Sequence, residues 1–189
     1  MLSALFQNDP ALTDADRAAL QVAFRKKTYP KGGFLLREGT VATDVFFIAE
    51  GVVRQYFALD SGNAHACTFT LPGAFVTNIE SFIQHTPSVT AINALTDTVC
   101  YSISCETLTG LMTASPAISA YFQREVEKVA VENAARVRQL LSQSAEEKYL
   151  DILRNTPEWI AQIPQQYLAQ YIGVAPESLS RIRRKIAGK

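Results

Sequence analysis

The chain has 189 residues, 48% of them hydrophobic, with 18 Lys and Arg matched by 18 Asp and Glu. That is ample apolar material for one core or two small ones and argues against disorder or fibrous structure. The balanced total says nothing about a partner, but its distribution does. From Gln165 onward, Arg181, Arg183, Arg184, Lys185 and Lys189 face Glu177 alone, a net of +4, and the remaining 13 basic and 17 acidic residues leave −4 for the body. A basic end on an acidic body suits a small module that meets phosphates, although a solvated basic helix end gives the same count. No apolar run reaches the ~18 residues of a membrane span. The N-terminus lacks a basic segment followed by an apolar stretch and a cleavage site, so a cytoplasmic protein with no membrane partner is expected. Cys67, Cys100 and Cys105 show no CxxC spacing, and read as buried free thiols rather than a disulfide, metal or redox set.

In chain order, Asp14 to Phe24 spaces Ala15, Ala18, Ala19, Val22 and Ala23 along one face behind Thr13, a good N-cap, and predicts a short helix. After Tyr29-Pro30-Lys31-Gly32-Gly33 come short runs rich in Phe, Val, Ile, Tyr and Thr: Phe34–Arg37, Val45–Ala49, Val52–Ala58, Ala66–Leu71, Ser88–Ala94 and Thr98–Ser104. Such runs, separated by the turn residues Glu50-Gly51, Asp60-Ser61-Gly62-Asn63 and Pro72-Gly73, predict an antiparallel sandwich or barrel.

From Pro116 to Ser142 the period becomes helical. Phe122, Val126, Val129, Asn133, Val137 and Leu140 follow one another at intervals of 4, 3, 4, 4 and 3. This is close to a heptad seam, with one Asn that sets register, and predicts a dimerisation helix; packing on its own sheet is the alternative. Ser144 with Glu147 three residues on reads as a capping box opening a helix to about Asn155, closed by Thr156-Pro157. The polar break at Ser142 to Ser144 is the expected domain boundary.

The segment Gln165 to Ile186 has the spacing of a helix-turn-helix. Leu168, Ala169 and Ile172 form the inner face of a first helix, Gly173 supplies the turn and Val174 plugs it. Pro176 suits the first position of a second helix, and Glu177 suits its positive end. Leu179, Ile182 and Ile186 turn inward, which leaves Glu177, Ser178, Ser180, Arg181, Arg184 and Lys185 outward. On this reading Arg181 takes a guanine edge and Glu177 accepts from a cytosine amino group. Ser178 and Ser180 contact bases or phosphates, and Gln166 and Tyr167 donate to backbone phosphates. An ordinary helical hairpin with a basic edge is the plainer alternative.

The chain resembles the Crp/Fnr family of transcription regulators, typified by the cyclic-AMP receptor, over nearly its whole length. Lys31-Gly32-Gly33-Phe34-Leu35-Leu36-Arg37-Glu38-Gly39 and Phe46-Phe47-Ile48-Ala49-Glu50-Gly51 resemble the first strands of its cyclic-nucleotide-binding β-roll. Glu177 and Arg181 fall where that family places its base-reading acid and arginine, whereas Pro176 departs from the arginine common at that corner. The resemblance implies an α+β protein: a double-stranded β-roll sensor over residues 1–115, a dimerisation helix over 116–142, and a helical, winged-helix-like helix-turn-helix domain over 143–189. Double-stranded DNA and a second copy of the chain are its expected partners, with RNA polymerase a further candidate.

The family's effector loop is altered. Its members hold a cyclic nucleotide with a Gly-Glu pair on the ribose and an Arg followed by Ser or Thr on the phosphate. The corresponding positions here are Asn78 for the glutamate and Ser88 for the arginine, within a pocket formed by Asn78, Ile79, Glu80, Ser81, Ser88, Val89 and Thr90. A neutral serine cannot replace a charge-assisted guanidinium contact, and Glu80 would repel an anion, so cyclic AMP is not expected as effector and no cofactor is implied. Three cysteines are too few for an iron–sulfur cluster held by four. His65 and His85 read as structural or surface histidines rather than haem ligands. Two other classes remain: a β-roll ligand-binding or interaction module without DNA binding, and a cupin-like metal enzyme. The second lacks a His-x-His pair with a carboxylate, and no catalytic motif appears, so the chain is not read as an enzyme.

Overall fold

The computed structural model describes residues 2–59 and 64–188, so the predicted turn at Asp60 to Asn63 lies outside the described residues. In chain order the elements are α1 (Leu2–Gln7), α2 (Asp14–Ala23), β1 (Arg25–Tyr29), β2 (Phe34–Leu36), β3 (Asp44–Glu50), β4 (Val53–Ala58), β5 (Ala64–Thr70), β6 (Phe75–Val76), α3 (Ile79–Gln84), β7 (Ala91–Ala94), β8 (Thr98–Ser104), α4 (Cys105–Ala114), α5 (Pro116–Ser142), α6 (Ala145–Asn155), α7 (Pro157–Gln162), α8 (Gln165–Ile172) and α9 (Pro176–Ala187). The strands form two four-stranded antiparallel sheets, ordered β1-β8-β3-β6 and β2-β7-β4-β5. The protein is thus an α+β chain with an N-terminal β-roll and a helical C-terminal region.

Three apolar clusters stack through the molecule. Between the sheets lie Leu36, Phe46, Ile48, Val53, Ile92 and Cys100. The outer face of the first sheet, with Val45, Phe47 and Ile103, is covered by Phe6, Leu20, Phe24, Leu108 and Phe122 from the helices. This double covering explains why Val45 to Ala49 of β3 are all buried rather than alternating. On the far side, Val52, Ala66, Phe69 and Leu95 of the second sheet and its connections pack against Tyr149, Trp159, Leu168, Ile172 and Leu179 of the C-terminal helices.

Local chemistry explains most boundaries. Thr13 and Ser144 each close a full capping box, with Asp16 and Glu147 respectively. Ser115 caps α5, whose first residue is Pro116. Thr156-Pro157 does end α6, but Pro157 also begins the short helix α7. Five further elements escape the sequence patterns: α1, α3, α4, β6 and β1. The last, Arg-Lys-Lys-Thr-Tyr, is an edge strand paired with β8 from Arg25↔Ser102 to Tyr29↔Thr98, where charge on the free side is favoured.

The expected seam on α5 is corrected at its first member. Phe122 is only 7% exposed and its ring packs 5.7 Å from Phe75, because the opening turns of α5 lie on the roll. The exposed stripe begins instead at Val126, 45% exposed, and continues to Val137 and Leu140, with Val129 half-buried and Asn133 exposed on the same course.

Candidate nucleic-acid interface

Helices α8 and α9 are joined by the tight turn Gly173-Val174-Ala175. Gly173 has φ +87°, in the left-handed region, and its N–H and that of Val174 both donate to the Ala169 carbonyl, at 2.9 and 3.0 Å. Leu168, Ala169, Ile172 and Leu179 are buried between the helices, and Val174, Ile182 and Ile186 pack against them. The inward set therefore falls where the 3.6-residue period puts it.

The opposite face of α9 carries the charge. Glu177, Arg181, Arg184 and Lys185 are exposed, as are Pro176 and Gln166, and Ser178 is half-exposed. Arg181 donates to the Ser178 hydroxyl at 3.0 Å. Lys185 pairs with Glu146 of α6 at 2.5 Å, a contact a phosphate would have to replace. Two residues expected on this face are engaged inside the protein instead. Ser180 receives the Gln165 amide, which also donates to the Pro176 carbonyl and so clamps α8 to α9. Tyr167 is turned toward the roll, 4.4 Å from the Arg54 guanidinium.

That contact belongs to a second feature which the sequence patterns do not reveal. Helix α8 packs across β5. Arg54 of β4, 7% exposed, lies between the rings of Tyr56 at 3.9 Å and Tyr167. It donates to the side-chain oxygens of Gln170 on α8, at 2.5 Å, and Asn93 on β7, at 3.3 Å. Arg136 of α5 stacks 3.6 Å over Tyr171 and donates to the Tyr171 carbonyl. Burial lowers the pKa of both guanidiniums, the neighbouring tyrosines acting in the opposite sense. The strand period assigns Arg54 to a face but gives no sign that another part of the chain covers it.

The loop around Asn78 and Ser88 is closed by its own hydrogen bonds. Asn78 caps α3 by accepting from the Ser81 N–H at 2.9 Å, and its amide donates to Thr90 Oγ1 at 2.8 Å. Gln55 of β4 donates to the same oxygen at 3.0 Å, and Ser88 Oγ donates to the Thr90 carbonyl at 2.8 Å. Asn78, Ser81, Ser88 and Thr90 are all buried. Val89 is exposed, and Ile79 and Glu80 line a groove against Val126, Val129 and Asn133 of α5 rather than entering the network. Gln55 is the network member that local patterns do not mark; its only signal was a polar Arg54-Gln55 pair inside an otherwise apolar and aromatic strand.

Among the described residues no three His, Cys, Asp or Glu side chains approach closely enough to hold a metal ion. Cys67, Cys100 and Cys105 are free thiols, and burial pushes those of Cys67 and Cys100 up to about 11, so both stay protonated at neutral pH. None of the described helices is long and apolar enough to cross a membrane.

Comparison with known proteins defines the class first: residues 26–115 match the cyclic nucleotide-binding domain family. The chain as a whole has the architecture of the Crp/Fnr regulators. It is similar to FixK2 from Bradyrhizobium japonicum at 17% identity and TM-score 0.78, covering 87% of this chain and 85% of that one. The c-di-GMP-responsive regulator CLP of Xanthomonas campestris matches at 18% identity and TM-score 0.73, over 93% and 92% of the two chains. The catabolite activator protein of Thermus thermophilus matches at 19% identity and TM-score 0.60, over 97% and 86%. No curated protein matches in sequence.

Proposed function

We propose that the protein is a cytoplasmic, homodimeric, sequence-specific DNA-binding transcription regulator of the Crp/Fnr type, and not an enzyme. The observation that carries this reading is the helical pair α8–α9, with its inner face packed and Glu177, Arg181, Arg184 and Lys185 exposed along one side of α9. Such a face suits the major groove: short polar and acidic groups lead, and cations follow toward base edges and phosphates. Gln166 at the start of α8 suits a backbone phosphate. The apolar stripe on α5 supports a two-stranded coiled coil that relates two such faces by a twofold. RNA polymerase is a further candidate partner.

Cyclic AMP is not the effector on this reading. The groups at the nucleotide-binding positions, Asn78 and Ser88, are buried and bonded to Thr90, with Asn78 also accepting from the Ser81 N–H, and neither is a cation that would meet a cyclic phosphate.

The test measures binding to a mixed-sequence duplex as salt is raised. Affinity is expected to fall steeply with salt, and Arg181→Ala, Arg184→Ala and Lys185→Ala to flatten the log–log slope by about 0.9 for each phosphate contact removed. Absence of salt-dependent binding, or a slope unmoved by the three changes, would overturn the reading. Added cyclic AMP is expected to leave the melting temperature unchanged; a clear rise would refute the effector statement.

A further inference from the structure

The contact between the roll and α8 divides into two chemistries. Its adhesive part is aromatic: the Phe69 and Trp159 rings lie 5.0 Å apart edge-on, with Tyr171 5.1 Å from Trp159 and 5.9 Å from Phe69. Its polar part is the two guanidiniums. Neither Arg54 nor Arg136 has a carboxylate partner among the described residues. A buried cation of this kind gains little net stability, because undocking would return it to water. What it supplies is register, since a planar fork between fixed partners tolerates few arrangements. Arg54 engages α8 through Tyr167 and Gln170, and Arg136 engages its end at the Tyr171 carbonyl. The helix is thereby referred at one point to β4 of the roll and at another to α5.

We infer that Arg54 and Arg136 are positioning residues that fix the angle at which α8, and with it α9, is presented, and so set the half-site spacing that a dimer accepts on DNA. The inference rests on the proposed reading as a dimeric DNA-binding protein. The docked arrangement leaves the charged face of α9 exposed, so on this inference docking and DNA reading are compatible, and loosening the dock widens the range of spacings without altering contacts at a single half-site.

The experiment compares wild type with Arg54→Gln and Gln170→Ala on duplexes carrying an inverted repeat of the selected half-site, lengthened stepwise through one helical turn, and on a single half-site. Gln170 is half-buried on α8, so its truncation guards against loss of the roll's fold in the first variant. Wild type should favour one spacing by tenfold or more, both variants by threefold or less, with single half-site affinity within twofold of wild type. Retention of the wild-type preference by Gln170→Ala, or by a folded Arg54→Gln, would overturn the inference. If wild type binds no DNA, the functional reading fails first, and acrylamide quenching of Trp159, the single tryptophan, decides the clamp. Quenching should rise in both variants with unchanged helix content; unchanged quenching would refute the clamp as well.

Discussion

His65 shows how one side chain records the docking of two parts of the chain. It sits half-buried on β5 beside Gly173, whose Cβ, if present, would lie 3.8 Å from the imidazole. Burial, then Arg136 and Lys148, hold its pKa below the ordinary value of 6.5. As pH falls through that value the unfolded chain takes up a proton that the folded chain refuses, so stability present above it is lost progressively until the folded imidazole also protonates. The melting temperature is expected to fall between about pH 7 and pH 5, and His65→Gln to remove part of that slope; an unchanged slope in the variant would contradict the assignment. Glu147, lowered by its bonds from Ser144, acts in a separate window: its contribution is complete above the ordinary carboxylate value of 4.5 and is lost below it. Residues whose orientation follows from one helix, such as the inward Leu179 and outward Arg181, were legible in the sequence. Arg54, Gln55 and Tyr167 were not, because their partners lie on other elements far along the chain.

Among the elements, two turn glycines separate conformational strain from steric collision. Both Gly51, between β3 and β4, and Gly173 have positive φ. At Gly51 a Cβ would meet the Asp97 carbonyl oxygen at 2.5 Å and Thr98 Oγ1 at 2.6 Å, whereas at Gly173 the nearest atom is the His65 carbon already described. Gly173→Ala should therefore cost about 1 kcal/mol of strain alone, and Gly51→Ala about 2–5 kcal/mol, as overpacking adds to it. Thermal melts check the order, and equal shifts would contradict it. The starts of α5 and α6 were readable because the change to a helical period at Pro116 and the Ser144–Glu147 capping box are local signals. Helix α3 has six residues, fewer than two turns over which a period could repeat, and β1 is too polar to match a strand pattern built on burial.

For the whole molecule, the layering of helices, two sheets and helices again gives the second sheet a face that is buried only because the C-terminal helices return to it. No local pattern announces that return, which is why the β-roll was legible and its docking was not. Strand β4 lies at the junction: Arg54 reaches α8 on one side, and Gln55 reaches the Asn78–Thr90 network on the other. The stripe on α5 is solvated in the single chain, so Val126→Glu with Val137→Glu should yield a monomer by light scattering while the protomer's melting temperature changes little. A dimer that survives both changes would place the interface elsewhere.

The central claim, that α9 reads DNA in twofold pairs, is tested most directly by selecting bound duplexes from a random pool at about 0.15 M salt, with no effector added, beside Arg181→Ala. The account predicts inverted repeats whose half-sites lie about 34–36 Å, one helical turn, apart, and their loss in the variant. No enrichment by wild type, or the same repeats enriched by Arg181→Ala, would contradict it.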